Sequence, residues 1–99
     1  MSIRFEWDLA KNDANQRKHG LRFEDATPIF TWEAERLDER DEDHSADAER
    51  FISIGPIARG LITVSWAEPV DDLVRIISVR HATKQERKRY QQYKSDDYQ

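Results

Sequence analysis

Three apolar runs joined by short turns, between Arg50 and Val79, constrain the fold of this 99-residue chain most. Gly55-Pro56 follows the first run, Glu68-Pro69 follows the second, and Asp71-Asp72 precedes the third. Short polar or Gly/Pro turns of this kind connect neighbouring antiparallel strands. The pattern therefore predicts an antiparallel meander of three strands, namely Arg50–Ile54, Leu61–Ala67 and Leu73–Val79.

The chain before the meander predicts one short strand and one capped helix. Ser2–Trp7 alternates apolar and polar residues, as a half-buried strand does. Asp8 is a suitable N-cap for a helix from Leu9 to about His19, and Gly20 suits the left-handed position after it. This helix is polar, so we expect it at the edge of the core. Its residues available for burial are Leu9, Ala10 and Ala14.

Phe23–Trp32 has apolar residues at helical spacing and predicts a second helix. Pro28 lies inside it, and a proline in a helix interior costs about 3 kcal/mol. We therefore expect a kink, or a break around Thr27. A charged connection follows, with a short edge strand near Ala34–Leu37.

Thr83 and Glu86 form a capping-box pattern that opens the last helix. The order of elements is a strand, two helices, three or four strands and a helix, which indicates an α+β fold. We expect one domain over residues 1–99, with residues 95–99 as a frayed tail. A small antiparallel sheet should have its helices packed mainly on one face, with the other face free to bind.

Charge is sorted along this chain. The whole sequence has 16 Lys+Arg against 20 Asp+Glu, yet Arg75–Lys94 has seven basic residues and one acid, Glu86. Sorted charge indicates a surface that meets phosphate or an acidic partner. The alternative is a solvated helix face, with its cations paired to the acidic residues of segment 33–49.

Several classes of site and protein are excluded or disfavoured. The chain has no cysteine, which excludes disulfides, thiolate metal sites and cysteine nucleophiles. No apolar run approaches the roughly 18 residues of a membrane span, and no signal-peptide core is present near the start. We expect a soluble, cytoplasmic protein without membrane contact. Asp41, Asp43 and His44 match no metal-binding pattern, so no metal and no cofactor are expected.

The arginines are the candidate phosphate ligands, because guanidinium groups bind phosphate bidentately. Arg75 and Arg80 are five residues apart, which puts them on opposite faces of a regular strand. They share a face only if Arg80 lies past the strand end or a bulge intervenes. Arg50 begins the first meander strand, and the sequence leaves open which end of the sheet it occupies.

Two histidines are candidate proton-transfer groups. His19 lies at a helix C-terminus and His81 follows Arg80 at a strand-to-helix turn. Arg80 beside His81 favours a neutral imidazole at that position, which could act as a general base near pH 7. The alternatives are dipole pairing for His19 and an exposed turn for His81. We expect the three tryptophans to pack in the core. The alternative is that one of them stacks on an RNA base. They are Trp7, Trp32 and Trp66.

Taken in order, these motifs resemble the BrnT toxin family from about Ile3 to Tyr90. The matching positions are Phe5-Glu-Trp-Asp8, Lys11, Asn15, Lys18-His19-Gly20, Phe23-Glu-Asp-Ala26, Phe30, Glu49-Arg-Phe51, Ile54-Gly55, Arg75-Ile-Ile-Ser78, Arg80, Ala82-Thr83, Glu86-Arg87 and Tyr90. The chain departs from the family pattern at Arg22, Pro28 and His81.

The resemblance implies a type II toxin with a RelE-like fold that cleaves RNA without a metal and blocks translation. It also implies a BrnA-like antitoxin with a ribbon-helix-helix part, a toxin–antitoxin hetero-oligomer, and DNA contact only through that antitoxin. A non-catalytic module that docks an acidic or helical partner is the alternative, favoured slightly by the net charge of −4.

Site roles follow from the resemblance and from residue chemistry together. The expected phosphate ligands are Arg50, Arg75 and Arg80. Of the last two, one is expected to be structural or partner-binding, and Arg80 is favoured for the chemistry because it lies at the strand end beside His81. The expected proton-transfer candidates are His19, Glu49 and His81. The residues expected to bind RNA backbone or antitoxin are Lys18, Lys84, Arg87 and Lys88.

Overall fold

The computed structural model describes residues 2–31, 34–42 and 49–96, in which five strands form one sheet with the order β1-β5-β4-β3-β2. The strands are β1 (Arg4–Glu6), β2 (Leu37–Arg40), β3 (Arg50–Ile57), β4 (Gly60–Ala67) and β5 (Leu73–His81). The helices are α1 (Leu9–His19), a 3₁₀ helix (Phe23–Phe30) and α2 (Lys84–Asp96). The meander β3-β4-β5 is antiparallel as predicted, whereas β1 pairs in parallel with β5.

Helix α1 has the predicted caps but not the predicted buried face. The Asp8 carboxylate accepts the Lys11 backbone N–H at 2.9 Å, and Gly20 has φ +73°. Leu9, expected to be buried, is 74% exposed, and the buried side chains of α1 are Asn12 and Asn15. The prediction of an apolar contact was wrong because these amides are satisfied by hydrogen bonds with neighbouring segments.

The second helix is a 3₁₀ helix without a break at Thr27, and this corrects the prediction of a kinked α-helix. Pro28 has no N–H to give to the Glu24 carbonyl, and the Thr27 hydroxyl donates to that carbonyl at 3.0 Å instead. The apolar face is buried as expected. Trp32 lies outside the described residues.

Several strand boundaries differ from prediction, and β5 continues past the predicted end at Val79 to His81. β2 begins at Leu37, where the predicted edge strand was expected to end. β3 continues through Gly55 and Pro56 to Ile57. β2 pairs with β3 only as far as Ile54, so Pro56 lies where β3 is an edge strand and a missing N–H is tolerated. A Cβ at Gly55 would lie 3.1 Å from the Ile29 side chain, which explains the glycine there.

The sheet has two differently covered faces. α1 and the 3₁₀ helix pack on the first face, whose core includes Phe23, Phe30 and Trp66. α2 packs on part of the second face, where Tyr90 joins Ile54 in a smaller apolar cluster. The prediction of helices mainly on one face is therefore confirmed.

The predicted core tryptophans are confirmed where they are described. Trp66 is buried and its indole N–H donates to the Ser53 hydroxyl at 2.7 Å, while Trp7 packs half-buried against the core. At the other end of the chain, α2 extends into the predicted tail as far as Asp96, and residues 97–99 lie outside the described part. Among the described helices, none combines the length and apolar character that a membrane span requires.

Candidate active site at the end of β5

A β-bulge in β5 decides which face its arginines occupy. Ser78 pairs with Ser65 and Ile76 pairs with Trp66, which leaves Ile77 without a partner in the register. The extra residue reverses the alternation that a regular strand would have. Arg75 and Arg80 therefore lie on the same, second face of the sheet, which is one of the two arrangements that the sequence left open.

The same register keeps the two guanidinium groups apart. Arg75 pairs with Ala67 and Arg80 pairs with Thr63, four residues away on β4. At roughly 3.4 Å per residue this separates their backbones by about 14 Å. Arg50 also pairs with Ala67, so it lies at the Arg75 end of the sheet. Two strand spacings separate Arg50 from Arg75, or about 10 Å.

The Arg75 end of the face carries acidic side chains as well as arginines. The Arg75 guanidinium donates to the Glu6 carboxylate, and these side chains are 54% and 36% exposed. Glu49 is exposed and lies 3.9 Å from Arg40. Exposed ion pairs of this kind contribute little to stability. We call Glu6, Glu49, Arg50 and Arg75 the carboxylate end.

Arg80 is held in a partly buried ion pair. Its Nη1 and Nη2 atoms donate to the two oxygens of Glu86 at 2.7 and 2.9 Å. Glu86 also accepts the Thr83 backbone N–H at 2.8 Å and the Thr63 hydroxyl at 3.0 Å. The Glu86 N–H donates in turn to Thr83 Oγ1 at 3.2 Å, which confirms the predicted capping box.

These contacts set the protonation of the pair. The bidentate hydrogen bonds from Arg80 lower the pKa of Glu86 to about 2; burial opposes this shift, whereas the Thr83 N–H and the Thr63 hydroxyl add to it. Glu86 is therefore ionised and neutralises Arg80 locally. Arg80 thereby fixes the start of α2 against β5, and two of its five N–H groups are used in bonds to Glu86.

His19, the last residue of α1, has electrostatic surroundings suited to a proton acceptor. Partial burial lowers its pKa first, and the positive charges of Lys18, Arg80 and His81 lower it further. The imidazole is therefore neutral at pH 7. His81 is exposed at the last position of β5 and Lys84 opens α2. We call Lys18, His19, Arg80, His81 and Lys84 the basic end.

The exposed side of α2 extends the basic end outward. Lys84, Arg87 and Lys88 are all exposed, because α2 turns Glu86 and Tyr90 toward the sheet. The Tyr90 hydroxyl donates to the Glu35 carbonyl at 2.8 Å and fixes the orientation of this helix. The three cations are therefore free of the core and available to a large partner.

Sequence reasoning missed the contribution of Asn15 to this site. The Asn15 amide donates to the Val79 carbonyl at 2.8 Å, and its oxygen accepts the Val79 N–H at 3.1 Å. It replaces a neighbouring strand at the β5 edge just after the bulge. The available signal was the pair Asn12 and Asn15 inside a helix, where asparagine is a poor helix former.

Among the described residues, no group of three acidic or histidine side chains is arranged to hold a metal ion. Asp43 and His44, which match no metal-binding pattern in the sequence, lie outside the described part of the chain.

Comparison with known proteins gives two consistent matches. Residues 7–86 match the family described as ribonuclease toxin, BrnT, of type II toxin–antitoxin system. The crystal structure of the Brucella abortus ribonuclease toxin BrnT superposes with a TM-score of 0.62 and 25% identity, covering 84% of this chain and 100% of that one. No curated protein matches the chain. Because the family match spans most of the sequence and agrees with the fold, the protein belongs to the BrnT family of ribonuclease toxins of type II toxin–antitoxin systems.

Proposed function

We propose that this toxin is a metal-independent endoribonuclease that cleaves RNA by attack of a 2′-hydroxyl on the adjacent phosphate and thereby inhibits translation. The observation that carries the proposal is the basic end, where a histidine of lowered pKa lies among cations. The reaction needs a base for the 2′-hydroxyl, an acid for the departing 5′-oxygen and positive charge around the phosphorane.

His19 is the base in this scheme, because its imidazole is neutral at pH 7 and can accept the 2′-hydroxyl proton. His81, the last residue of β5, is the group that returns a proton to the 5′-oxygen. Lys84 stabilises the additional charge on the phosphate oxygens, and Lys18 binds the RNA backbone beside them. Glu49 lies at the carboxylate end, which favours His19 over Glu49 as the base.

Arg50 and Arg75 bind phosphates that flank the cleaved one. Both lie on the part of the second face that bears the half-exposed Ser65 and Ser78. The exposed pair between Arg75 and Glu6 is weak enough for phosphate to replace the carboxylate. Arg80 acts through position, since its fork holds Glu86.

Cleavage of a synthetic single-stranded RNA in excess EDTA tests the chemistry. We expect products that end in a 2′,3′-cyclic phosphate and a 5′-hydroxyl, and a large loss of rate in His19→Asn. Loss of cleavage on chelation would contradict metal independence, and full activity in His19→Asn would remove that residue from the mechanism. A cell-free translation reaction shows whether the same protein stops protein synthesis.

We also propose a BrnA-like antitoxin with a ribbon-helix-helix part as the partner, acting in the cytoplasm within a toxin–antitoxin hetero-oligomer that alone contacts DNA. Membership in a type II toxin–antitoxin family supports a protein antitoxin. The exposed cations of α2, Lys84, Arg87 and Lys88, suit an acidic segment of that partner.

Co-expression with the product of a small neighbouring reading frame tests this pairing. A stable complex that loses affinity in the double variant Lys84→Glu/Arg87→Glu supports it, and unchanged affinity assigns the partner to another surface.

RNA affinity that does not vary with salt would favour the non-catalytic module over the ribonuclease.

A further inference from the structure

A pocket of about 220 Å³ lies between α1 and β5, beside the bulge. The helix contributes Lys11, Lys18 and His19 to its wall, and the bulge contributes Ile77 and Ser78. Residues 11, 18 and 19 share one side of α1, because seven or eight residues span about two helical turns. The pocket therefore runs from the proposed base along the helix toward Lys11.

The framework around this pocket is rigid. β1 pairs with β5 only as far as Arg75, so the following part of β5 has α1 as its neighbour at that edge. Asn15 fixes the two elements together through both backbone groups of Val79 and through the Leu21 carbonyl at 2.8 Å. The lysines are thus displayed from a helix whose distance from the bulge is set by buried hydrogen bonds.

The charge of this pocket is unusual for the molecule. Arginines in the described part of the chain are mostly paired with carboxylates, as Arg75 and Arg80 are. Neither Lys11 nor Lys18 forms an ion pair with a described residue, and none of the described residues lining the pocket is acidic. Two uncompensated ammonium groups at a concave site attract an anion.

We propose that this pocket binds the phosphate of the RNA nucleotide next to the cleaved one, with Lys11 and Lys18 as its ligands. This inference rests on the proposed ribonuclease function and extends it, because it leads the RNA along the β5 edge and α1. The volume supports a small group, since pockets for drug-sized ligands are about 300–1,000 Å³. A phosphate with its sugar is a suitable occupant.

Titration followed by protein NMR tests the pocket without any turnover. The probes are inorganic phosphate and a dinucleotide that lacks the attacking 2′-hydroxyl. We expect shifts at the Ile77 and Ser78 amides and the His19 ring, and Lys11→Met should weaken binding by up to about fivefold, as loss of one exposed charge pair does. Arg17→Met removes one charge from the same helix outside the pocket and should leave binding unchanged.

Kinetics on a longer RNA give a second readout. Lys11→Met should raise KM while kcat stays near the original value, and the slope of log affinity against log salt should fall by about 0.7, as loss of one single-strand phosphate contact predicts. The proposed phosphate site would be overturned if Arg17→Met raised KM as much as Lys11→Met does. It would also be overturned if the phosphate probes shifted only NMR signals of residues outside the pocket. Lys11→Gln replaces Lys11→Met if the latter does not fold.

The two proposals fail separately. Phosphate binding that is weakened in Lys11→Met, in a protein that cleaves no RNA, would keep the pocket and reject the ribonuclease mechanism. Normal cleavage with an unchanged KM in Lys11→Met would keep the ribonuclease and reject the pocket.

Discussion

The two ends of β5 present the same side chain on the same face in two different settings. Arg75 is paired with Glu6, which is exposed and belongs to a short neighbouring strand. Arg80 is paired bidentately with Glu86, whose side chain is only 10% exposed and is bound by two further donors. The first arginine can exchange its partner for phosphate, whereas the second is part of the structure. Residue type and face alone therefore do not identify a phosphate ligand.

The largest effect should come from His19, which lies at the basic end. His19→Asn removes the proposed base, and removal of general base catalysis lowers kcat by about 10²–10⁴-fold. Single-turnover cleavage measures the loss, and an unchanged melting temperature shows that the fold is intact. Glu49→Gln, at the carboxylate end, should change kcat far less. A reversed order of the two effects would move the chemistry to the carboxylate end.

Glu86→Gln should lower the free energy of unfolding by roughly 2 kcal/mol, because charge-assisted hydrogen bonds contribute about 1.5–3 kcal/mol. Glu6→Gln should change it by less than about 0.5 kcal/mol, as exposed pairs do. Urea denaturation of both variants measures the difference. Equal destabilisation would show that the two arginines are held alike.

The pKa of Glu86 predicts where this stability depends on pH. The folded value of about 2 lies below the ordinary value of 4.5, so the stabilisation is complete above pH 4.5 and is lost as pH falls toward 2. Urea denaturation of the original protein and of Glu86→Gln should therefore converge between pH 4.5 and 2. A constant difference across that window would contradict the ionised pair.

The smallest effect should be that of Arg75→Ala. Loss of one flanking phosphate contact should weaken RNA affinity by up to about fivefold, with the melting temperature unchanged. Arg80→Ala should lower the melting temperature instead, because Glu86 loses its partner. Filter binding measures the RNA affinity and circular dichroism measures the melting temperature, so the two variants can be told apart. A stable, inactive Arg80→Ala variant would restore Arg80 as a direct phosphate ligand.

Local signals in the sequence predicted local structure well. The Asp8 cap, Gly20 and the Thr83–Glu86 box each depend on residues within one helical turn, and each is present. The bulge at Ile77 has no such signal, because it is set by pairing with β4. The sequence therefore left open whether Arg75 and Arg80 share a face of the sheet.

Other features depended on contacts far apart in the chain. The parallel pairing of β1 with β5 joins Glu6 to Arg75 across 69 residues. Asn15 reads as a polar residue on a polar helix, and only its contact with Val79 shows why it is buried. For this reason the pocket beside Asn15 could not be predicted from composition and spacing. Two of its lining residues, Lys18 and His19, were nevertheless predicted as RNA-binding and proton-transfer candidates.

The Asn15 amide also has a consequence for how this protein avoids unwanted association. A strand edge with unpaired peptide groups can template pairing with another chain. At Val79 both peptide groups are already bonded to the amide, so that position offers nothing to an incoming strand. The opposite edge strand, β2, carries consecutive charges at Asp38, Glu39 and Arg40. The β5 edge at Val79 is thus shielded by a side chain and β2 by charge, which disfavours association with another chain at these positions.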